Sequence, residues 1–100
     1  MKSSRTIQIE FQQVVQQTNR LEDCANDLRR VQKMLDDLVD DLSSGWAGES
    51  AQAYFQKCRE LHSKLGKSAQ NLNTTANVIE RSARAYRDAE LRAIQLAQKK

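Results

Sequence analysis

Apolar residues return at every seventh position through the first part of the chain without a slip, at Ile7, Val14, Leu21, Leu28, Leu35 and Leu42. Phe11, Ala25 and Val39 join this ladder at its fourth position, and Cys24, Val31 and Leu38 at its third. Such an unbroken register predicts one long amphipathic helix, and no proline is present to interrupt it. The positions between carry Gln12, Gln16, Asn19, Arg20, Asp23, Arg29, Arg30 and Lys33, so the stripe is one-sided and needs a neighbour.

The pattern stops at Ser43-Ser44-Gly45-Trp46-Ala47-Gly48. Gly45 is expected to take the left-handed conformation that closes the first helix, and Glu49 or Ser50 to stabilise the amide end of the next. A second ladder follows at Ala51, Cys58, Leu65, Leu72, Ile79, Tyr86 and Ala93, supported by Tyr54, Phe55, Leu61, Ala69, Ala76, Ala83, Ala89, Leu96 and Ala97. Gly66 and the stretch from Asn71 to Asn77 are poor helix formers. The seven-residue phase nevertheless passes through them unshifted, which predicts a continuous helix that bends or frays there. The expectation is an all-α chain forming one unit over residues 1–100: helix one over about 5–43, a turn over 44–49 and helix two over about 50–97. Helices of about 60 Å joined by so short a turn must run antiparallel, as a helix-turn-helix hairpin.

One hairpin leaves part of each stripe uncovered. Leu21, Leu28, Leu35, Leu42, Phe55, Leu65, Leu72 and Ile79 are therefore expected to form a core and dimer stripe, with two hairpins packing as a four-helix bundle. The length of 100 residues and an aromatic content of 5% argue the same way, because a single core of this size is marginal. The stripe alone leaves homodimer and heterodimer equally open.

Sixteen Lys and Arg stand against thirteen Asp and Glu, for a net charge of +3, with both signs interleaved. Arg81, Arg84, Arg87 and Arg92 are interrupted by Glu80, Asp88 and Glu90, so no counterion-releasing face forms and nucleic acid is not an expected partner. A single histidine, no Gly-rich phosphate loop and no nucleophile elbow argue against an enzyme, a small-molecule substrate or a cofactor. Cys24 and Cys58 are too few for a disulfide framework and read as buried thiols on the helical stripes. Cys58 and His62, four apart, share a helical face, but Cys24 should lie opposite residue 68, about 15 Å from Cys58, so neither a metal site nor an intrachain disulfide is expected. An interchain contact stays open. Asp36, Asp37, Asp40 and Asp41 crowd the carboxyl end of helix one against its dipole, and bases across the hairpin should answer them, Lys57 opposite Asp36. Charged and amide residues break any apolar run near the amino terminus, so no cleavable signal peptide is expected, and no run near 18 apolar residues could span a membrane.

A mid-chain Trp46-Ala47-Gly48, with Ala51 and Phe55 in the first turns of the second helix of a proline-free hairpin, resembles the WXG (ESAT-like) superfamily. These are small substrates and partner proteins of type VII secretion in Gram-positive bacteria. A second family feature, the export signal Tyr-x-x-x-Asp/Glu, is matched by Tyr86 and Glu90 near the carboxyl end. The resemblance implies secretion from the bacterial cytoplasm without a cleaved signal, with Trp46 and Gly48 as turn motif, Tyr86 and Glu90 as secretion signal, and a motor ATPase as their reader. It also implies a partner: a second copy, another hairpin of the family, or the helical amino-terminal domain of a larger toxin, whose export signal this chain would complete. The basic charge fits an acidic partner. Trp46 is expected either to plug the hairpin end or to project as part of the secretion surface. Tyr86, on the ladder, reads as a core aromatic with its hydroxyl at the rim, and lies about 54 Å along helix two from Trp46. A joint signal of the two motifs would therefore have to form between chains packed head to tail.

Overall fold

The computed structural model describes residues 2–99. Two helices, α1 (Ser4–Ser43) and α2 (Glu49–Gln98), are joined by a short turn in a helical hairpin, and no strand occurs among the described residues. α2 is unbroken through Gly66 and through the Asn71 to Asn77 stretch.

The helix ends are closed locally. Ser3 caps α1: its Oγ accepts the Thr6 amide at 3.1 Å and its carbonyl accepts the Ile7 amide at 3.1 Å. At the other end the Leu42 carbonyl accepts the amides of Gly45 and Trp46, at 3.2 and 2.9 Å. The Ser43 and Ser44 hydroxyls donate to the carbonyls of Asp40 and Asp41, at 3.1 and 2.9 Å. The last carbonyls of α1 are thus satisfied without any inversion of φ, and Gly45 does not take the left-handed conformation expected of it. That role falls to Gly48, at φ 105°, whose carbonyl accepts the Gln52 amide at 3.0 Å and opens α2, with Glu49 favourably placed in the first turn.

The chain packs as two compact units: Asp23–Leu72, and the residues up to Glu22 together with those from Asn73 onward. In the Asp23–Leu72 unit Ala25, Ala51, Phe55, Cys58 and Ala69 are buried, while Leu28, Leu35, Val39, Leu42, Leu65 and Leu72 are half-buried. A polar link crosses between the helices: Gln32 Nε2 donates to the His62 carbonyl at 2.8 Å, and His62 Nε2 lies 3.2 Å from Asp36 Oδ2. This link explains Gly66, because a Cβ there would stand 2.7 Å from Gln32 Nε2. It also corrects the expected pairing of Lys57 with Asp36, since His62 takes that carboxylate and Lys57 turns along its own helix to Glu60, at 3.6 Å. Cys24, expected to be buried, is exposed, and only Cys58 is a core thiol. The α1 stripe is wider than one helix covers, and the residues one step before Ala25, Gln32 and Val39 fall outside the contact.

In the other unit Ile7, Thr18 and Ala76 are buried, and Phe11, Val14, Leu21 and Ala83 half-buried. Thr18 satisfies its hydroxyl on the Val15 carbonyl at 2.8 Å. Here the second ladder departs from expectation. Ile79, Tyr86 and Ala93 are exposed, and the half-buried places belong to Glu80, Arg87 and Ile94. A straight α-helix drifts about 20° per heptad from a strict seven-residue repeat. Four heptads after Ala51 the drift is about 80°, close to the 100° between neighbouring residues, so the next residue takes the inward place.

The surroundings of the three glycines set their response to substitution. Gly48→Ala should cost about 1–2 kcal/mol in urea unfolding, whereas Gly45→Ala, which meets open space, should be near neutral. Gly66→Ala should gain about 1 kcal/mol of helix propensity and lose a comparable amount by displacing Gln32, leaving little net change. In a Gln32→Ala background the same Gly66→Ala substitution should stabilise by about 1 kcal/mol.

Candidate functional site

Three features stand out: the aromatic turn, an apolar flank of the Asp23–Leu72 unit, and the surroundings of Tyr86.

At the turn, Trp46 packs its indole against two rings of the first turns of α2. The centroids lie 5.3 Å from Tyr54, tilted by 48°, and 5.8 Å from Phe55, edge-on at 72°. Phe55 is buried, yet Trp46 and Tyr54 each keep 39% of their surface exposed. The two expectations for Trp46 therefore meet in one side chain, which closes the hairpin end through Phe55 and offers its outer edge to solvent. The residues 46–48 lie outside both helices, and the positive φ of Gly48 turns the chain so that Phe55 comes beneath the indole.

The apolar flank follows from helical register. Cys24, Val31 and Leu38 immediately precede the inward residues Ala25, Gln32 and Val39 on α1. Tyr54, Leu61 and Ser68 immediately precede Phe55, His62 and Ala69 on α2. One step back turns about 100° the same way on each helix, and in an antiparallel pair that places both sets on one flank of the unit. Val31, Leu38, Tyr54 and Leu61 are all exposed there, Leu61 by 47%. The opposite flank is polar and holds a shallow cleft of about 270 Å³ lined by Leu35, Asp36, Val39, Asp40, Cys58, Arg59 and His62. Among the described residues no group of three or more His, Cys, Asp or Glu side chains is placed to hold a metal ion, Cys58 and His62 included.

In the other unit Tyr86 is 51% exposed, and not in the core where the ladder placed it. Glu90, one turn on, is half-buried. The segment just before α1 reaches Tyr86: Lys2 Nζ sits 5.9 Å from the ring centroid and pairs with Glu10 Oε2 at 2.9 Å. That carboxylate, by hydrogen bond and charge, holds the Lys2 ammonium above the ordinary lysine range. The adjacent Arg87 points the other way, its guanidinium 4.2 Å from the Phe11 ring centroid and 3.0 Å from Asp88 Oδ1. Beside Tyr86 lies a cleft of about 320 Å³ lined by Ile7, Glu10, Phe11, Val14, Ser82, Ala83 and Tyr86. Of the expected core stripe, Phe55 is buried, Leu21, Leu28, Leu35, Leu42, Leu65 and Leu72 are half-buried, and Ile79 is exposed on the Tyr86 flank. Lys2, Glu10 and Phe11 are the residues that sequence reasoning did not attach to Tyr86. They lie more than seventy positions away, and only the register between helices joins them.

A family model described as WXG100, proteins of 100 residues with WXG, matches residues 6–91. No match is found among curated proteins or among solved structures.

Proposed function

Because the chain belongs to the WXG100 family, we propose that it works by association, pairing through the apolar flank of its Asp23–Leu72 unit and presenting Tyr86 and Glu90 to the secretion motor. Members of this family are small helical proteins secreted by type VII systems, typically paired as hairpin dimers, and are not known enzymes. No helix among the described residues is long and apolar enough to cross a membrane.

The observation that carries the proposal is apolar surface left without cover. The chain exposes 7527 Å², polar and apolar together, against about 5,800 Å² for a compact monomer of 11.4 kDa. The excess is of the size that an obligate dimer removes from each partner. Val31, Leu38, Tyr54 and Leu61 supply large side chains on a single flank, where a second hairpin completes a four-helix bundle. In this reading the outer edge of Trp46, with Gly48, joins Tyr86 and Glu90 of the partner chain in one export signal. Glu90 adds a carboxylate one helical turn from an exposed ring, an arrangement that a receptor groove reads from a helix face.

A second reading is favoured by charge. The residues up to Glu22 and from Asn73 onward hold nine Lys and Arg against five Asp and Glu, an excess that suits an acidic partner. There the chain is the targeting partner of the helical domain of a larger type VII toxin.

Leu61→Glu should abolish pairing while leaving the hairpin helical, read as halved mass by light scattering with unchanged circular dichroism per residue. Alkylation of Cys24, which lies on the same flank, should slow as concentration is raised through association, while Cys58 stays protected at every concentration. If Leu61→Glu pairs as the parent does, this flank is not the interface. A parent chain that is monomeric alone and pairs only on addition of an acidic helical domain selects the targeting-partner reading. Tyr86→Ala should block export from a strain carrying the type VII locus without altering the dimer, and unchanged secretion would remove Tyr86 from the signal.

A further inference from the structure

Resting on the reading of Tyr86 as the export signal, we infer that the signal is tertiary: Lys2, just before α1, and Glu10 of α1 are positioning residues that fix the Tyr86 ring for its receptor. Two cation–π contacts of opposite direction join this turn of α2 to the amino-terminal part of the chain. Lys2 lies over Tyr86, and Arg87 of α2 lies over Phe11 of α1. Arg87 is half-buried, so the contact with Phe11 anchors the backbone of the signal turn to the core of its unit.

The Tyr86 side chain itself has no such anchor. It is half exposed, and the cation over its ring is the Lys2 ammonium, which pairs with Glu10 at 2.9 Å. A ring at an exposed helical position samples several rotamers, and a cation fixed over one of them favours that one. Glu10 acts one step further back, since it touches the cation and not the receptor. The ion pair also consumes the charge of Glu10, which leaves the carboxylate of Glu90 as the acid presented with the ring. A receptor that docks on this flank meets Tyr86 in a preset orientation and avoids the ordering cost that a flexible aromatic would impose.

The contact also ties the signal to the folded state. In an unfolded chain Tyr86 and Glu90 keep their spacing in sequence, but Lys2 and Glu10 are absent from their side. The motor would therefore discriminate a folded hairpin from an unfolded one by a feature of the signal itself.

The test uses the full chain in a strain carrying the type VII locus, comparing Lys2→Ala, Glu10→Gln, Lys2→Arg and Tyr86→Ala for secreted fraction. Thermal unfolding and the Tyr86 ring resonances are followed on the purified variants. Lys2→Ala and Glu10→Gln should each lower the secreted fraction about three- to fivefold and shift the Tyr86 ring resonances, with unchanged melting temperature. Lys2→Arg, which keeps the cation, should be secreted as the parent is. If Tyr86→Ala blocks export while Lys2→Ala and Glu10→Gln are secreted normally, the positioning role is overturned and the signal stands as a linear one. A loss of export that tracks a lowered melting temperature, with ring resonances unmoved, also overturns it. Normal export of Tyr86→Ala would instead bring down the underlying reading.

Discussion

A hairpin gives each of its helices a single neighbour, and each of these helices carries a stripe too wide for one neighbour to cover. Most other features of the molecule descend from that mismatch. On α1 the inward line through Ala25, Leu28, Leu35 and Val39 is flanked by Cys24, Val31 and Leu38, and only the first set meets α2. On α2 the line through Phe55, Cys58 and Leu65 is flanked in the same way by Tyr54 and Leu61. Full burial of a large apolar side chain is worth about 1.5–3 kcal/mol, so four such residues still about 40% exposed on one flank leave a driving force of roughly 2–5 kcal/mol. The same geometry turns Tyr86 outward, since once Arg87 has taken the inward place the residue before it must lie on the flank.

What the helices do bury is small. Four of the buried residues, Ala25, Ala51, Ala69 and Ala76, carry one methyl each. Alanine brings backbones close and costs no side-chain entropy, but it contributes little apolar area. A core of this composition lets the two helices approach closely while several large side chains, Val31, Leu38, Tyr54 and Leu61 among them, stay exposed. The distribution is coherent for a protein that acts through what it docks on, because surface committed to an internal core is lost to a partner.

The ladders, the turn and the Trp46–Gly48 motif were legible in the sequence because each depends on local spacing. The heptads gave both helices, and their unbroken phase showed that Gly66 and Asn71 to Asn77 do not divide α2. Three kinds of feature were not legible. The drift of α2 that exchanges Ile79 and Tyr86 for Glu80 and Arg87 accumulates over four heptads, so a strict repeat of seven misplaces the later residues while placing the earlier ones well. The choice between Gly45 and Gly48 rests on which carbonyls are satisfied first, and the Ser43 and Ser44 hydroxyls decide it by closing α1 without a left-handed residue. The partners of Tyr86 and Asp36 come from the other helix, and pairing them needs the register between helices to within one turn; a count from an assumed turn centre sent Asp36 to Lys57 instead of His62.

Register is also where polar contacts matter more than their energies suggest. A groove lined largely by alanines gives little side-chain interlock along the helix axes. The contacts that change on sliding are the specific ones: Gln32 against the His62 carbonyl over Gly66 in one unit, and Lys2 between Glu10 and Tyr86 in the other. Exposed ion pairs of this kind contribute little to stability, about 0–1 kcal/mol. They discriminate sharply all the same, since a shift of seven residues would set Glu10 beside Ile79 or Ala93 and leave Tyr86 with no acid–cation pair at its edge. The short turn between Ser43 and Glu49 holds the two helices in one register, and within it these few polar side chains mark which residues share a surface, and thereby which surface a partner meets.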